Sequence, residues 1–348
     1  MRPLLDAAGN AATRTRRRIQ EYGSSGPPAP TAATRARRRA TTTGAADADA
    51  PPAALSAPPS VDYDSLPALF VAEDAFSLPT YWDRRYRDHP ETQPEEWYRT
   101  EKCESASAVI AAHLDPRLAV LQLGVGTSRL QEAMARGFRD DGADGDERAE
   151  AAGEGCFSSV LSVDFSDVAV ARQKARHAAL LADSQTRAWA SRLTYARADV
   201  RAMPHLADAS FGGGVLDKGA LDALLCGDDG DDAAARCLAE VSRVLPPGAA
   251  YVMVTSAAPD ARRRLLPTAA AADSERPSPA PSPPPPPPPL LLLLPVWAGV
   301  LVYRLGQQGA LVGPAELGDA AGEAALLQAH EADARLRYSH FAYVCVKR

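Results

Sequence analysis

The stretch "AVLQLGVGTSRL", Ala119 to Leu130, decides how the chain is read. An apolar run stops at Gly124-Val125-Gly126, and a pattern with helical spacing starts at once. A buried strand that enters a helix through a glycine turn is how a nucleotide-binding α/β fold begins. A G-x-G pair alone fits equally well in a tight turn that binds nothing. Its neighbours narrow the choice of ligand. A dinucleotide fingerprint needs a third Gly where this chain has Arg129, and the Lys-Ser/Thr pair of a phosphate-binding P-loop is missing. Both phosphate ligands are therefore disfavoured.

Outward from the turn, strand-like and helical runs alternate. Strand-like runs fall at 118–123, 158–165, 192–200, 249–256, 298–305 and 340–348, and "FGGGVLDKGALDALL" (Phe211–Leu225) reads as a strand running into a helix. Helical spacing appears at 128–138, 166–183 and 235–245, with Ser166 as an N-cap. Such alternation predicts an α/β fold, a mostly parallel sheet with helices on both faces. In such sheets the ligand lies beyond the carboxyl ends of the strands.

Two acids stand at those ends. Asp164 closes the second strand-like run in "SVDF", 38 residues after Gly126. With the 16-residue acidic stretch at 140–155 set aside, the gap is 22, close to the ~20 of a ribose-binding carboxylate. A carboxylate there accepts both ribose hydroxyls in charge-assisted bonds. Asp199, in "ADV", ends the third run, placed to accept an adenine amino group with the Val200 amide facing the ring. Either acid alone is also consistent with a helix cap or a surface residue. Together, after a glycine turn, they fit a nucleoside with no phosphate requirement. S-adenosylmethionine is one.

Composition bounds the rest. Residues 1–60 are rich in Ala, Arg, Thr, Ser and Pro. They read as a disordered basic tail or, alternatively, as an organelle transit peptide. Residues 1–46 carry nine Arg against Asp6 and Glu21, which leaves −13 on the remainder of a chain whose net charge is −6. An acidic body disfavours nucleic acid and suits a basic protein partner. The longest apolar candidate, Leu290–Tyr303, is broken by Pro295 and is too short to span a bilayer, so no membrane is expected. The five scattered cysteines form no C-x-x-C pair, so neither a disulfide framework nor a metal site is suggested. The acidic loop at 140–155 is read as solvated. The Pro-rich insertion at 274–295 holds seven consecutive prolines, Pro283 to Pro289, a stiff rod that reads as a neutral insertion or, alternatively, as a ligand for a proline-recognition module.

The stretches "YWDRRY", "EEWY", "LQLGVGTSRL", "SVDFSDVAV", "ADVRAMP", "LDKGALDALL", "EVSRVLPPG" and "VTSAAP" together resemble the class I, seven-stranded S-adenosylmethionine-dependent methyltransferases. Within them the chain is similar to the methyltransferase-like branch that includes lysine methyltransferases of elongation factor 1-alpha. The resemblance runs from about Tyr81 to Pro259. It implies a Rossmann-like seven-stranded sheet, mostly parallel with an antiparallel last strand, as a single domain over 75–348. It implies cofactor contacts by Trp82, Tyr86 and Trp97, by Gly124 and Gly126 on the turn, and by Asp164, Phe165, Asp199, Val200 and Lys218. Aromatic faces attract a sulfonium at about 0.5–2 kcal/mol each; the same rings would equally serve as core. Lys218 is expected to pair with the cofactor carboxylate or with a neighbouring acid, and Asp217 and Asp222 flank it. Val125 and Thr127 depart from the family's Leu-Gly-Cys-Gly-Asn-Ser turn, and Thr127 is expected to cap the helix.

The implied function is methyl transfer from S-adenosylmethionine to a protein lysine, with a basic translation factor as partner. A small-molecule methyl- or aminopropyl-transferase and a non-catalytic binding module of the same fold are the alternatives. No Asn-Pro-Pro-aromatic run follows the fourth strand, which disfavours nucleobase and glutamine amide acceptors. The only candidate for a general base is Asp217. The expected location is the cytoplasm, or the mitochondrion or plastid if the Arg-rich N-terminus is cleaved.

Overall fold

Successive buried side chains along the central strands point to opposite faces, and that alternation builds two cores on one sheet. In β1 (Ala119–Leu123), Leu121 and Leu123 pack on one face and Val120 on the other. A continuous apolar run is what a strand covered on both faces requires. A computed structural model describes residues 73–88, 96–98, 104–138, 155–268, 294–336 and 340–348. The basic tail at 1–60 lies outside the described residues, as do 140–154 of the acidic loop and 274–293 of the Pro-rich insertion.

The helices are α1 (Pro79–Asp88), α2 (Glu104–His113), α3 (Leu130–Ala135), α4 (Asp167–Ala182), α5 (Arg187–Ala190), α6 (Ala220–Leu224), α7 (Gly230–Val244), α8 (Pro259–Arg262) and α9 (Ala320–Ala332). The remaining strands are β2 (Ser159–Asp164), β3 (Leu193–Arg197), β4 (Gly214–Lys218), β5 (Ala250–Thr255), β6 (Trp297–Leu305), β7 (Leu311–Glu316) and β8 (His340–Lys347). Their order in the sheet is β3-β2-β1-β4-β5-β8-β6-β7. The first five pair in parallel, and β8 runs antiparallel to both β5 and β6. This is the expected α/β, Rossmann-like sheet with an antiparallel last strand. It carries one strand more than expected: β7 adds to the outer edge of β6. "LVGPAE" gives no period-2 signal and contains Pro314, which fits an edge strand because the missing N–H costs no ladder bond there.

α7 and α9 cover one face, with Leu238, Val241 and Leu326 in the core. α2 and α3 cover the other, with Ile110, Leu130 and Met134. Ser166 caps α4 as predicted, its hydroxyl accepting from the Ala169 amide at 3.1 Å. Thr127 does not cap α3. Ser128 Oγ accepts from the Leu130 amide at 3.2 Å instead, and Glu96 takes the Arg129 amide. α3 is shorter than the run at 128–138 suggested, since Gly137 and Phe138 turn left-handed after it. No described helix is long and apolar enough to cross a membrane.

Candidate active site

The glycine turn lies between β1 and α3, at the carboxyl ends of the parallel strands. Gly124 and Gly126 both adopt left-handed φ, 57° and 51°. A Cβ on Gly126 would stand 2.6 Å from Tyr86 Oη, and one on Gly124 would stand 2.7 Å from Ala220 Cβ. The turn therefore needs glycine twice over, for its backbone angles and for the close approach of α1 and α6.

The amides of this turn are already engaged. Gly126 N–H donates to Asp164 Oδ2 at 2.8 Å, and Ser128 N–H to the Val125 carbonyl at 3.1 Å. Arg129 N–H donates to Glu96 Oε1 at 2.5 Å, and Leu130 N–H to Ser128 Oγ. A pyrophosphate needs just such amides at a helix N-terminus. Here two carboxylates hold two of these four amides, and a phosphate would meet negative charge. The structure thus disfavours a phosphate ligand for a reason the sequence could not supply.

A cavity of about 280 Å³ opens over the turn. Trp82, Tyr86, Trp97, Gly124, Gly126, Asp164, Phe165, Asp199, Val200 and Lys218 all line it, although they come from six separate stretches of sequence. Trp82 and Tyr86 stack at 5.5 Å, and Trp97 meets Trp82 edge-on at 5.7 Å. Trp82 Nε1 donates to the Phe76 carbonyl at 2.7 Å, which fixes the indole. Trp82 and Tyr86 are also buried against Ala169, so the rings are both core and cavity wall.

The acids differ in what they do. Asp164 is buried, and burial pushes its carboxyl up to about 6 against the pull of its backbone hydrogen bonds. Its Oδ1 accepts from Ser166 N–H at 2.9 Å, so the carboxylate ties the turn to the start of α4. Each oxygen keeps a second lone pair. Asp199 lies two residues beyond β3, closed in a bridge with Ala202. Burial raises its carboxyl, but the Arg201 guanidinium, at 2.8 Å, holds it below the usual range.

Lys218 closes β4 and points to an acid the sequence did not single out. Its ammonium donates to Glu96 Oε2 at 3.1 Å and to the Trp97 carbonyl at 3.0 Å. Both partners of this ion pair are nearly inaccessible, 5% and 7% exposed. An ammonium has three N–H donors, so one remains for a ligand. Glu96 also accepts from Ser128 Oγ at 2.9 Å. It stands beside Trp97 in "EEWY", and its role depends on partners 32 and 122 residues away.

Asp217 is not placed to act as a base. It is fully buried, and its carboxylate accepts from the Ala220 and Leu221 amides at 2.8 and 3.1 Å and from Tyr251 Oη at 2.9 Å. It caps α6 from within the core and does not line the cavity. Its neighbour Asp222 does. Among the described residues no cluster of metal-ligating side chains occurs.

These residues fit an adenosyl sulfonium compound. Two acids follow adjacent strands where ribose and adenine would lie, stacked rings border the turn, and the turn offers no phosphate cradle. No protein-family model matches the chain. In sequence it is 32% identical over 192 residues to EEF1A lysine methyltransferase 4 of Mus musculus, covering 53% of this chain and 63% of that protein. It is 34% identical over 193 residues to the Bos taurus protein of the same name, with the same coverage. The chain thus spans less than two thirds of the length of these relatives. The match to eEF1A lysine and N-terminal methyltransferase of Danio rerio is 30% over 188 residues, 53% of this chain and 22% of that protein. Among solved structures, an S-adenosylmethionine-dependent methyltransferase of Methanosarcina mazei aligns at TM-score 0.32 and 16% identity, over 69% of this chain and 96% of that one. In sequence and in strand order, this chain resembles the seven-stranded S-adenosylmethionine-dependent methyltransferases, on the side of the elongation factor 1-alpha lysine methyltransferases.

Proposed function

We propose that the protein transfers a methyl group from S-adenosylmethionine to a lysine side chain of a protein. The observation that carries this reading is the convergence of ten residues on one cavity over a turn whose amides are closed to phosphate. Asp164 would hold the ribose through its free lone pairs, and Asp199 with Val200 would hold the adenine. Trp82, Tyr86 and Trp97 would border the sulfonium and exclude water, and Lys218 would offer its third N–H to the cofactor carboxylate. Bound there, S-adenosylmethionine supplies a methyl already activated for displacement, so the protein's task is to position, desolvate and accommodate charge. A lysine must arrive neutral, and entry into a largely apolar cavity lowers its pKa in the required direction.

The protein acceptor is supported by the names of the relatives and by the acidic balance outside the N-terminal tail. Elongation factor 1-alpha is the substrate to test first. Unmethylated factor made in bacteria should take up label from methyl-tritiated S-adenosylmethionine when the full chain is present, with the label on lysine. Label appearing only in the metabolite fraction of a lysate would favour a small-molecule acceptor. Binding of cofactor with no transfer to either fraction would favour a binding module.

A further inference from the structure

We propose that Tyr98, Asp222 and Ser256 form the seat of the acceptor nitrogen, making this end of the cavity specific for a primary amine. The inference rests on the methyltransferase reading above. All three residues line the cavity, and Asp222 and Ser256 follow β4 and β5. Asp199 and Val200 follow β3, which is separated from β5 by β2, β1 and β4. At about 4.8 Å per strand, the two ends lie roughly 19 Å apart. An extended nucleoside anchored at the β3 end therefore leaves the β4–β5 end for a second substrate.

That end is rich in acceptor oxygen. Tyr98 Oη donates to Asp222 Oδ2 at 2.5 Å, and Ser256 lines the cavity beside them. Asp222 Oδ1 is held by Thr255 Oγ1 at 2.7 Å and by the Arg262 guanidinium. The carboxylate is thus fixed from behind. Oδ2 has Tyr98 as its one partner among the described residues, which leaves a lone pair for a second donor. Burial, with the Asp222 charge beside it, raises the Tyr98 phenol above its ordinary range, so it stays neutral.

The backbone at this point is forced. Tyr98 sits at φ 61°, a conformation uncommon for an aromatic residue. It is held there between the Lys218 bond to the Trp97 carbonyl, on one side, and its own bond to Asp222, on the other. Strain of this kind persists only where surrounding contacts over-determine it, as at ligand clamps.

An amine donating N–H to Asp222 Oδ2 and to Tyr98 Oη has two of its directions fixed, and its lone pair is left to point back along the cavity. The lone pair forms the N–C bond as the C–S bond breaks onto sulfur. The nitrogen becomes positive beside the Asp222 carboxylate and then loses its extra proton to water. Tyr98 and Asp222 touch the amine in this account, while Arg262 and Thr255 are positioning residues that act through Asp222.

The test does not need the natural acceptor. The probes are S-adenosylhomocysteine and two of its analogues in which nitrogen replaces sulfur, one bearing an aminoethyl arm and one a propyl arm. Wild type should bind the aminoethyl probe at least tenfold more tightly than the propyl probe. Tyr98→Phe and Asp222→Asn should each cut that preference at least fivefold and leave S-adenosylhomocysteine affinity within twofold. Tyr98→Phe keeps the ring and its packing, so it reads the hydroxyl alone even if Asp222→Asn fails to fold. Equal affinity of wild type for both armed probes, or an undiminished preference in Tyr98→Phe, overturns the proposal. Failure of wild type to bind S-adenosylhomocysteine at all would instead remove the methyltransferase reading.

Discussion

Asp164, at the end of β2, and Asp217, near the end of β4, are built alike. Each is buried, each accepts two backbone amides, and burial pushes each up to about 6. They differ in a third bond. Tyr251 Oη fills the remaining space around Asp217, whereas Asp164 borders the cavity. The comparison teaches that a buried acid at a strand tip is left facing a cavity or becomes a structural cap according to what the next strand places beside it. Position along its own strand does not decide it.

The contrast can be broken most forcefully at Asp217. Asp217→Ala leaves two amides and a phenol without a partner, at about 1–3 kcal/mol each before relaxation, so a total loss of about 3–5 kcal/mol is expected. Urea unfolding measures it, and a loss below about 1 kcal/mol would return Asp217 to consideration as a free, functional acid. Asp164→Ala should cost about 1.5–3 kcal/mol of S-adenosylmethionine binding through lost charge-assisted bonds. Titration calorimetry reads that change, and an unaltered affinity would make the two acids equivalent caps. Tyr251→Phe sharpens the comparison at about 1 kcal/mol of stability, with cofactor affinity unchanged, because it opens space only around the capping acid.

A further test is in pH. Both carboxyls are raised by burial, so between pH 4 and about 6 the folded state holds protons that the unfolded state has released. Their contribution to stability therefore rises as pH falls through about 6. Cofactor binding should move the other way, since a protonated Asp164 is a poorer acceptor for ribose hydroxyls. Thermal melts and binding titrations at pH 5 and 7 test the pair of signs, and Asp164→Asn should flatten the binding profile.

The parts of the site that sequence made legible are local ones. A glycine turn after an apolar run, and acids at the ends of later runs, follow from strand period and turn chemistry within a dozen residues. The extra strand, β7, was not legible, because "LVGPAE" depends on the edge of β6 for its pairing. Glu96 was hidden for a related reason. Its partners, Ser128, Arg129 and Lys218, come from β4 and from the turn after β1, and only the sheet brings them together. Asp217 was misread because Tyr251, which seals it, lies on β5, 34 residues away. The cap expected at Thr127 went to Ser128 and Glu96 by the same long-range route.

Calorimetric titration of the full chain with S-adenosylmethionine, and separately with NAD, tests the central claim most directly. The account predicts a Kd in the micromolar range for S-adenosylmethionine, about −7 to −8 kcal/mol, and no measurable heat with NAD. Saturable binding of NAD, or no binding of S-adenosylmethionine at millimolar concentration, would contradict it.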